Sequence, residues 1–296
     1  PTLAEAKPTS AEVKFRAEIG YDSNPCLYSD RDVNRIRIAR GQTERFALSQ
    51  PGDHWISPLV PRLRIRRAFR LFDSPGDIGL TARSRFHLTN QILDHARFDV
   101  FATLPRLRLS NSYLPRSYRR EYRHPTTRAF TSAFYLQNWL AARYRVPVTS
   151  WLDVRPRVSL RMRRFDATFE SRNSTNTYAE LSTLIKVLNE FSLTLGYQYS
   201  HSSAANGLPQ ESDRSYRAHN AFGGAQVRFV DSVRLFVRYA RSVRSYTTRV
   251  SETVDPVYRD RLDTLHFLTA SVGWSPFDDV LIEAATVQSS SKSMRP

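Results

Sequence analysis

From Val227 to Arg244 the chain alternates. Val227 and Phe229 flank Arg228, and a tight polar turn follows at Asp231-Ser232. Val233, Leu235, Val237 and Tyr239 then alternate with Arg234, Phe236 and Arg238. Side chains on a strand point to opposite faces with period two, so this hairpin carries one oily face and one rich in arginine. The wet face of a soluble sheet ordinarily mixes charge signs. Oil on one side and repeated guanidinium on the other suits a wall between lipid and a watery lumen.

The same pattern recurs along the chain. Residues 1–11 are polar and aperiodic and read as a linker. Val13, Phe15, Ala17, Ile19 and Tyr21 alternate with Lys14, Arg16 and Glu18, and turn residues follow at Asp22 to Pro25. A weaker strand is expected within Asn34–Leu48. Leu63, Ile65, Phe69 and Leu71 oppose Arg62, Arg64, Arg66 and Arg70; Ile78, Leu80, Ala82 and Phe86 oppose Arg83 and Arg85. Phe98 to Leu104 continues the alternation, with a phase slip near Pro105 that fits a bulge. Residues 111–127 read as a long polar loop, before an oily row at Phe130, Phe134, Leu136 and Leu140. Leu152 to Met162 alternates with Arg155, Arg157, Arg161 and Arg163. Leu181–Val187, Phe191–Tyr199, Ala221–Phe229, Thr264–Trp274 and Val280–Ala284 complete the series, and 289–296 reads as a polar tail.

This predicts an all-β, antiparallel transmembrane barrel spanning 12–288. From Asn111 onward every second connection is long and those between are short, matching the outer loops and periplasmic turns of bacterial outer-membrane barrels. About 12–14 strands are expected, and the even strand numbers of single-chain barrels favour fourteen.

Charge sharpens the picture. The net charge is +16, and of 44 basic residues only Lys7, Lys14, Lys186 and Lys292 are lysine. A strongly basic chain suggests nucleic acid first. Here the charge is dealt out along strand-like segments, not gathered on one helix or tail, so no nucleic-acid partner is expected. No apolar run of about 18 residues exists to form a membrane-spanning helix. Cys26 is the sole cysteine, which excludes a disulfide framework. No signal peptide is visible and Pro1 is no initiator, so the chain is expected to begin after processing or trimming.

The stretch Phe15-Arg16-Ala17-Glu18-Ile19-Gly20-Tyr21-Asp22-Ser23-Asn24-Pro25 resembles the opening strand of a broad set of Gram-negative outer-membrane barrels. These include the barrel domains of surface lipoprotein assembly modifiers and exopolysaccharide-export barrels such as the cellulose and alginate secretion porins. The resemblance implies residence in the bacterial outer membrane, and export of a polyanion or assembly of a surface complex.

The candidate site is the row of inward arginines: Arg62, Arg64, Arg66, Arg70, Arg83, Arg85, Arg155, Arg157, Arg161, Arg163, Arg228, Arg234 and Arg238. Fixed positive charge along a pore lowers the barrier to anions and raises it to cations. The bland alternative pairs these arginines with Glu18, Asp99, Asp153, Glu180 and Asp263 as structural ladders. Inward carboxylates are too few to absorb them all. Arg116, Arg119, Arg120, Arg123 and Arg128, set among Tyr113, Tyr118 and Tyr122, read equally as a grip on lipopolysaccharide phosphates or as an ordinary solvated loop.

One enzyme-like signal remains. Tyr199-Ser200-His201-Ser202-Ser203 resembles the His-x-Ser motif of outer-membrane lipases and deacylases, with Asn206, Glu211 and Asn220 as candidate orienting groups. None sits at a defensible spacing for a triad, so no catalysis is expected, nor any metal or other cofactor. The expectation is an anion channel or polysaccharide exporter. A scaffold barrel with a periplasmic or surface protein partner is the alternative, and an acyl hydrolase comes third.

Overall fold

A computed structural model describes residues 10–22, 53–66, 76–88, 91–124, 126–127, 129–204, 214–248, 260–277 and 280–294. The chain divides into two compact units, one of residues 1–140 and 161–174, the other of residues 141–160 and 175–296. The first unit holds β1 (Ser10–Asp22), β2 (Asp53–Arg66), β3 (Asp77–His87), β4 (His95–Thr103), β5 (Leu107–Arg123) and most of β6 (Phe130–Tyr144). The second holds β7 (Val146–Pro147), most of β8 (Leu152–Phe165), β9 (Ser174–Lys186), β10 (Phe191–Ala204), β11 (Tyr216–Val230), β12 (Val233–Tyr246), β13 (Leu262–Phe277) and β14 (Val280–Met294). Strand order follows chain order, and the two-residue β7 folds back on β8. Apart from two short 3-10 segments, Gln91–Leu93 and Ala167–Arg172, the described residues contain no helix.

The phase slip near Pro105 is a reversal of the chain, not a bulge. Leu104 N–H donates to the Leu107 carbonyl at 2.7 Å, and β4 turns into β5 there. Proline removes a donor and fixes φ, which suits the corner and not the ladder. The loop expected at 111–127 is instead strand as far as Arg123. The linker and tail boundaries shift as well. Ser10 and Ala11 pair with Arg66 and Ile65 in β1, and the expected polar tail from Ser289 to Met294 pairs with β13. These stretches are polar on both faces, so alternation of oil gives no sign of them.

The fourteen membrane-length strands expected are not found among the described residues, where thirteen strands exceed β7 in length. The weak candidate at Asn34–Leu48 lies outside the described residues. In the second unit, connections 187–190, 231–232 and 278–279 lie at one end, while 205–215 and 247–261 lie at the other.

The two faces differ as the alternation requires. Each register pairs odd or even positions consistently: Leu193 with Ala225, Val227 with Leu235, Val237 with Ala270, and Val272 with Ala284 on one face. Arg228 with Arg234, Gly224 with Arg238, and Arg244 with Asp263 lie on the other. The apolar face is the exposed one. Val158 is 59% exposed, Leu181 55% and Leu195 54%, while Asp153, Ser182, Ser200, Ser202, Asp263 and Phe222 on the polar face are all buried.

Glycine has a specific job on the polar face. A Cβ on Gly196 would enter the ring of Phe222, its cross-strand partner, and a Cβ on Gly79 would enter the ring of its partner Phe101. Each phenylalanine fills the space beside its glycine with the far end of its ring. Each is then topped by an arginine from the next strand, at the same diagonal offset: Arg238 lies 4.3 Å from the Phe222 centroid and Arg108 4.9 Å from the Phe101 centroid. The glycine-ring-guanidinium stack thus occurs once in each unit.

Gly196→Val is expected to destabilise the folded protein by about 1–3 kcal/mol through overpacking. Phe222→Ala in the same chain should cancel most of that added cost. Denaturant unfolding of the single and double variants in detergent measures the coupling, and strictly additive losses would contradict the stack.

Candidate functional site

The polar face is built by strand phase. On β8, Asp153, Arg155, Arg157, Arg161 and Arg163 share one parity, set against Leu152, Val154, Val158 and Leu160. Asp153, nearly enclosed, is bracketed by Arg145 Nη2 at 3.0 Å and Arg155 Nη2 at 3.2 Å. Glu180 of β9 stands 3.9 Å from Arg157 and accepts a hydrogen bond from Gln198 Nε2 at 3.3 Å. Arg157 is also within electrostatic reach of Arg143 and of Arg238 on β12, three strands beyond its neighbour in the sheet order. At the far end of this face Arg261 forks onto Asp263, Nε to Oδ1 at 2.8 Å and Nη2 to Oδ2 at 3.1 Å, and Tyr246 donates to the same carboxylate at 3.1 Å.

Other candidate arginines are held by rings and amides. Arg163 donates through Nε to Gln137 Oε1 at 2.9 Å and lies 5.4 Å from the Tyr135 centroid. Arg161 sits 5.9 Å from the Trp139 centroid. Guanidinium over an aromatic face is worth about 0.5–2 kcal/mol.

Some of the remaining arginines lie opposite other basic residues. Arg83 lies opposite Arg97, and Arg85 opposite His95. Asp99, two residues from Arg97, takes that arginine's Nε at 2.9 Å. Arg228 lies directly opposite Arg234, both exposed, and neither forms an ion pair with a described residue. Like charges directly opposite on a sheet face are destabilising, as for Arg228 and Arg234. In β2, the backbone register puts Arg62 opposite Thr81 and Arg64 opposite Gly79, on the polar side, with Arg66 opposite Ser10. Arg70 lies outside the described residues.

Two features escape a reading by alternation. Arg145 falls between strands and Arg143 in an alanine-rich segment, yet both join the arginine network around Asp153 and Arg157. The Arg-Tyr stretch after Tyr113 is strand, not loop. Arg116 lies 4.0 Å over the Phe134 ring, and buried Tyr118 meets the edge of the same ring. The 3-10 segment after β8 packs Phe169 on Tyr122, with Arg172 3.5 Å above that ring.

His201 and Ser203 lie on β10, on the apolar face, and no hydrogen bond joins them among the described residues. Two residues along a strand separate by about 6.6 Å, beyond direct proton transfer. Asn220 has the opposite parity and lies on the polar face, while Asn206 and Glu211 lie outside the described residues. The hydrolase arrangement is therefore not assembled. Among the described residues no group of three or more His, Cys, Asp or Glu could hold a metal ion.

No family model and no curated relative matches the chain. Among solved structures it is similar to Acinetobacter baumannii OccAB3, at 10% identity over 96% of this chain and 93% of that one, with a TM-score of 0.43. Pseudomonas aeruginosa OccK9 (OpdG) gives 10% identity, coverage of 97% and 98%, and a TM-score of 0.41. The outer membrane protein OprD from Pseudomonas aeruginosa gives 12% identity, coverage of 98% and 96%, and a TM-score of 0.32. Neither the lipoprotein assembly modifiers nor the polysaccharide exporters resembled by Phe15–Pro25 are among these three.

Asp153→Ala strands Arg145 and Arg155 without their shared partner. The partial exposure of both arginines keeps the expected loss below the 3–5 kcal/mol of a fully buried pair, at about 1–3 kcal/mol. Denaturant titration in detergent reads it, and an unchanged midpoint would contradict the bracketed geometry.

Proposed function

We propose that this chain is a bacterial outer-membrane β-barrel whose arginine-lined lumen passes or binds an anionic solute or an exported polysaccharide. One observation carries the reading: burial is inverted, with leucine and valine exposed on one sheet face and aspartates and serines buried on the other. A soluble sheet would leave that much oil in water. In lipid, the same face is solvated by acyl chains and the polar face lines an aqueous interior. On β10, Phe191 to Tyr199 supplies nine residues, close to the 9–11 that a tilted strand needs to cross.

The lumen's selectivity follows from its unpaired charge. Arg228 and Arg234 face each other, neither ion-paired to a described residue, and Arg238, four residues along β12, lies over Phe222. In a narrow low-dielectric passage such a field is focused, favouring anions. No hydrolytic or other catalytic role is assigned. A non-conducting scaffold for surface lipoproteins or a surface complex is the second reading, and the engagement of Arg155, Arg157 and Arg163 by neighbouring side chains favours it.

In planar bilayers under a salt gradient, the protein is expected to conduct with a reversal potential of the sign set by the anion. Arg228→Glu with Arg234→Glu should move that potential toward the cation's. Cation preference in the parent protein would contradict the anionic reading, and absence of conductance would favour the scaffold.

A further inference from the structure

On the apolar face of the second unit, the oil stops before the strands do. Along β10, Phe191, Leu193 and Leu195 give way to Tyr197, Tyr199 and His201. Along β11, Phe229, Val227 and Ala225 give way to His219 and Arg217; along β12, Val233, Leu235 and Val237 give way to Tyr239 and Arg241. On β13, Trp274, Val272 and Leu268 lead to His266, and on β14 Ile282 and Ala284 lead to Lys292.

Register gathers these residues into one belt. Tyr199 is opposite His219, His201 opposite Arg217, Arg241 opposite His266, and Thr264 opposite Lys292. Arg217, His219, Arg241 and Lys292 are exposed, and no described residue forms an ion pair with them. The apolar face of β10 to β14 carries no aspartate or glutamate. The carboxylates of these strands, Asp263 and Glu283, fall on the polar side of the register, opposite Arg244 and Gly273.

The belt is also built with repetition. Tyr197 Oη hydrogen-bonds His219 Nδ1, and Tyr239 Oη hydrogen-bonds His266 Nδ1 at 2.6 Å, each tyrosine sitting at the same diagonal offset from its histidine. With the tyrosine hydroxyl as donor, the imidazole proton rests on Nε2, a second donor directed away from the ring's own partner. Arg217 opposite His201 and Arg241 opposite His266 juxtapose basic groups across strands, an arrangement that an anion between them relieves. The opposed pairs Arg217–His201 and Arg241–His266, with Lys292 beside the second, stand two strand spacings apart across the sheet and four residues apart along it, about 16 Å. That spread calls for a headgroup with two phosphates.

We propose that this belt binds the bisphosphorylated glucosamine headgroup of a lipopolysaccharide in the outer leaflet. The inference rests on the barrel reading, which puts the apolar face in lipid. It also uses the loop lengths, since the belt lies at the end from which 205–215 and 247–261 depart. The acyl chains then lie along Leu195, Val237, Leu268 and Val272 below the belt.

Native mass spectrometry of the detergent-solubilised full chain, titrated with bisphosphoryl lipid A, tests this. The expected result is binding that weakens about tenfold for each cation lost in Arg217→Gln, Arg241→Gln and Lys292→Gln. Arg217→Lys with Arg241→Lys should retain binding, and monophosphoryl lipid A should bind the parent at least about tenfold more weakly. Equal affinity for phosphatidylglycerol, equal competition by inorganic phosphate, or undiminished binding to the triple glutamine variant would each overturn the proposal. If the chain is soluble and monomeric without detergent, the barrel reading itself fails; a detergent-requiring chain whose triple variant still binds lipid A overturns only the belt.

Discussion

Inside a bilayer no water is available to satisfy a backbone N–H or carbonyl, so a chain crosses either as a helix or as strands hydrogen-bonded to strands. Among the described residues no helix is long and apolar enough to cross. The strands are long, antiparallel and paired in chain order, which satisfies the backbone while leaving side chains to sort by parity. Everything else follows from that sorting. Because parity is rigid, a one-residue slip would exchange the two faces, and the register keeps oil opposite oil through the apolar band, as at Leu193 with Ala225, Val227 with Leu235 and Val237 with Ala270.

The polar face is not a simple coat of charge. Some arginines are tied to Asp153, Glu180 and Asp263, some are laid on aromatic rings, and some confront other arginines. The first two groups fix the wall's geometry, and in the third Arg228 faces Arg234 directly. The glycine opposite each stacked phenylalanine leaves room for the ring on which the guanidinium rests. A larger residue there would lift both.

Much of the fold is legible in the sequence because alternation reports directly which side of a strand meets lipid. The hairpin 227–244 and the strands at 152–165 and 191–204 are found with the faces their patterns predict. Alternation fails where strands extend past the apolar band. Leu114 to Arg123 and Ser289 to Met294 need no oil on either face, so they read as loop and tail although they are paired strand. The turn at Pro105 reads as a bulge because the two strands it joins carry oily residues of opposite parity, which mimics a one-residue insertion. Of the candidate site, Arg155, Arg157, Arg161, Arg163, Arg228, Arg234 and Arg238 share the polar face as their spacing requires. Which of them would be paired, stacked or opposed depends on cross-strand register, which a single strand's sequence does not encode.

The central claim is that the exposed oily face meets acyl chains and the arginine face meets water. Two single-cysteine variants, Val237→Cys and Arg238→Cys, each in a Cys26→Ser background, test it most directly in reconstituted vesicles. The account predicts that a fluorophore attached at position 237 is quenched by nitroxide lipids and not by aqueous iodide, and that one attached at position 238, a single residue away, shows the reverse. Quenching of both by iodide alone, or lipid quenching of the arginine-face position, would contradict it.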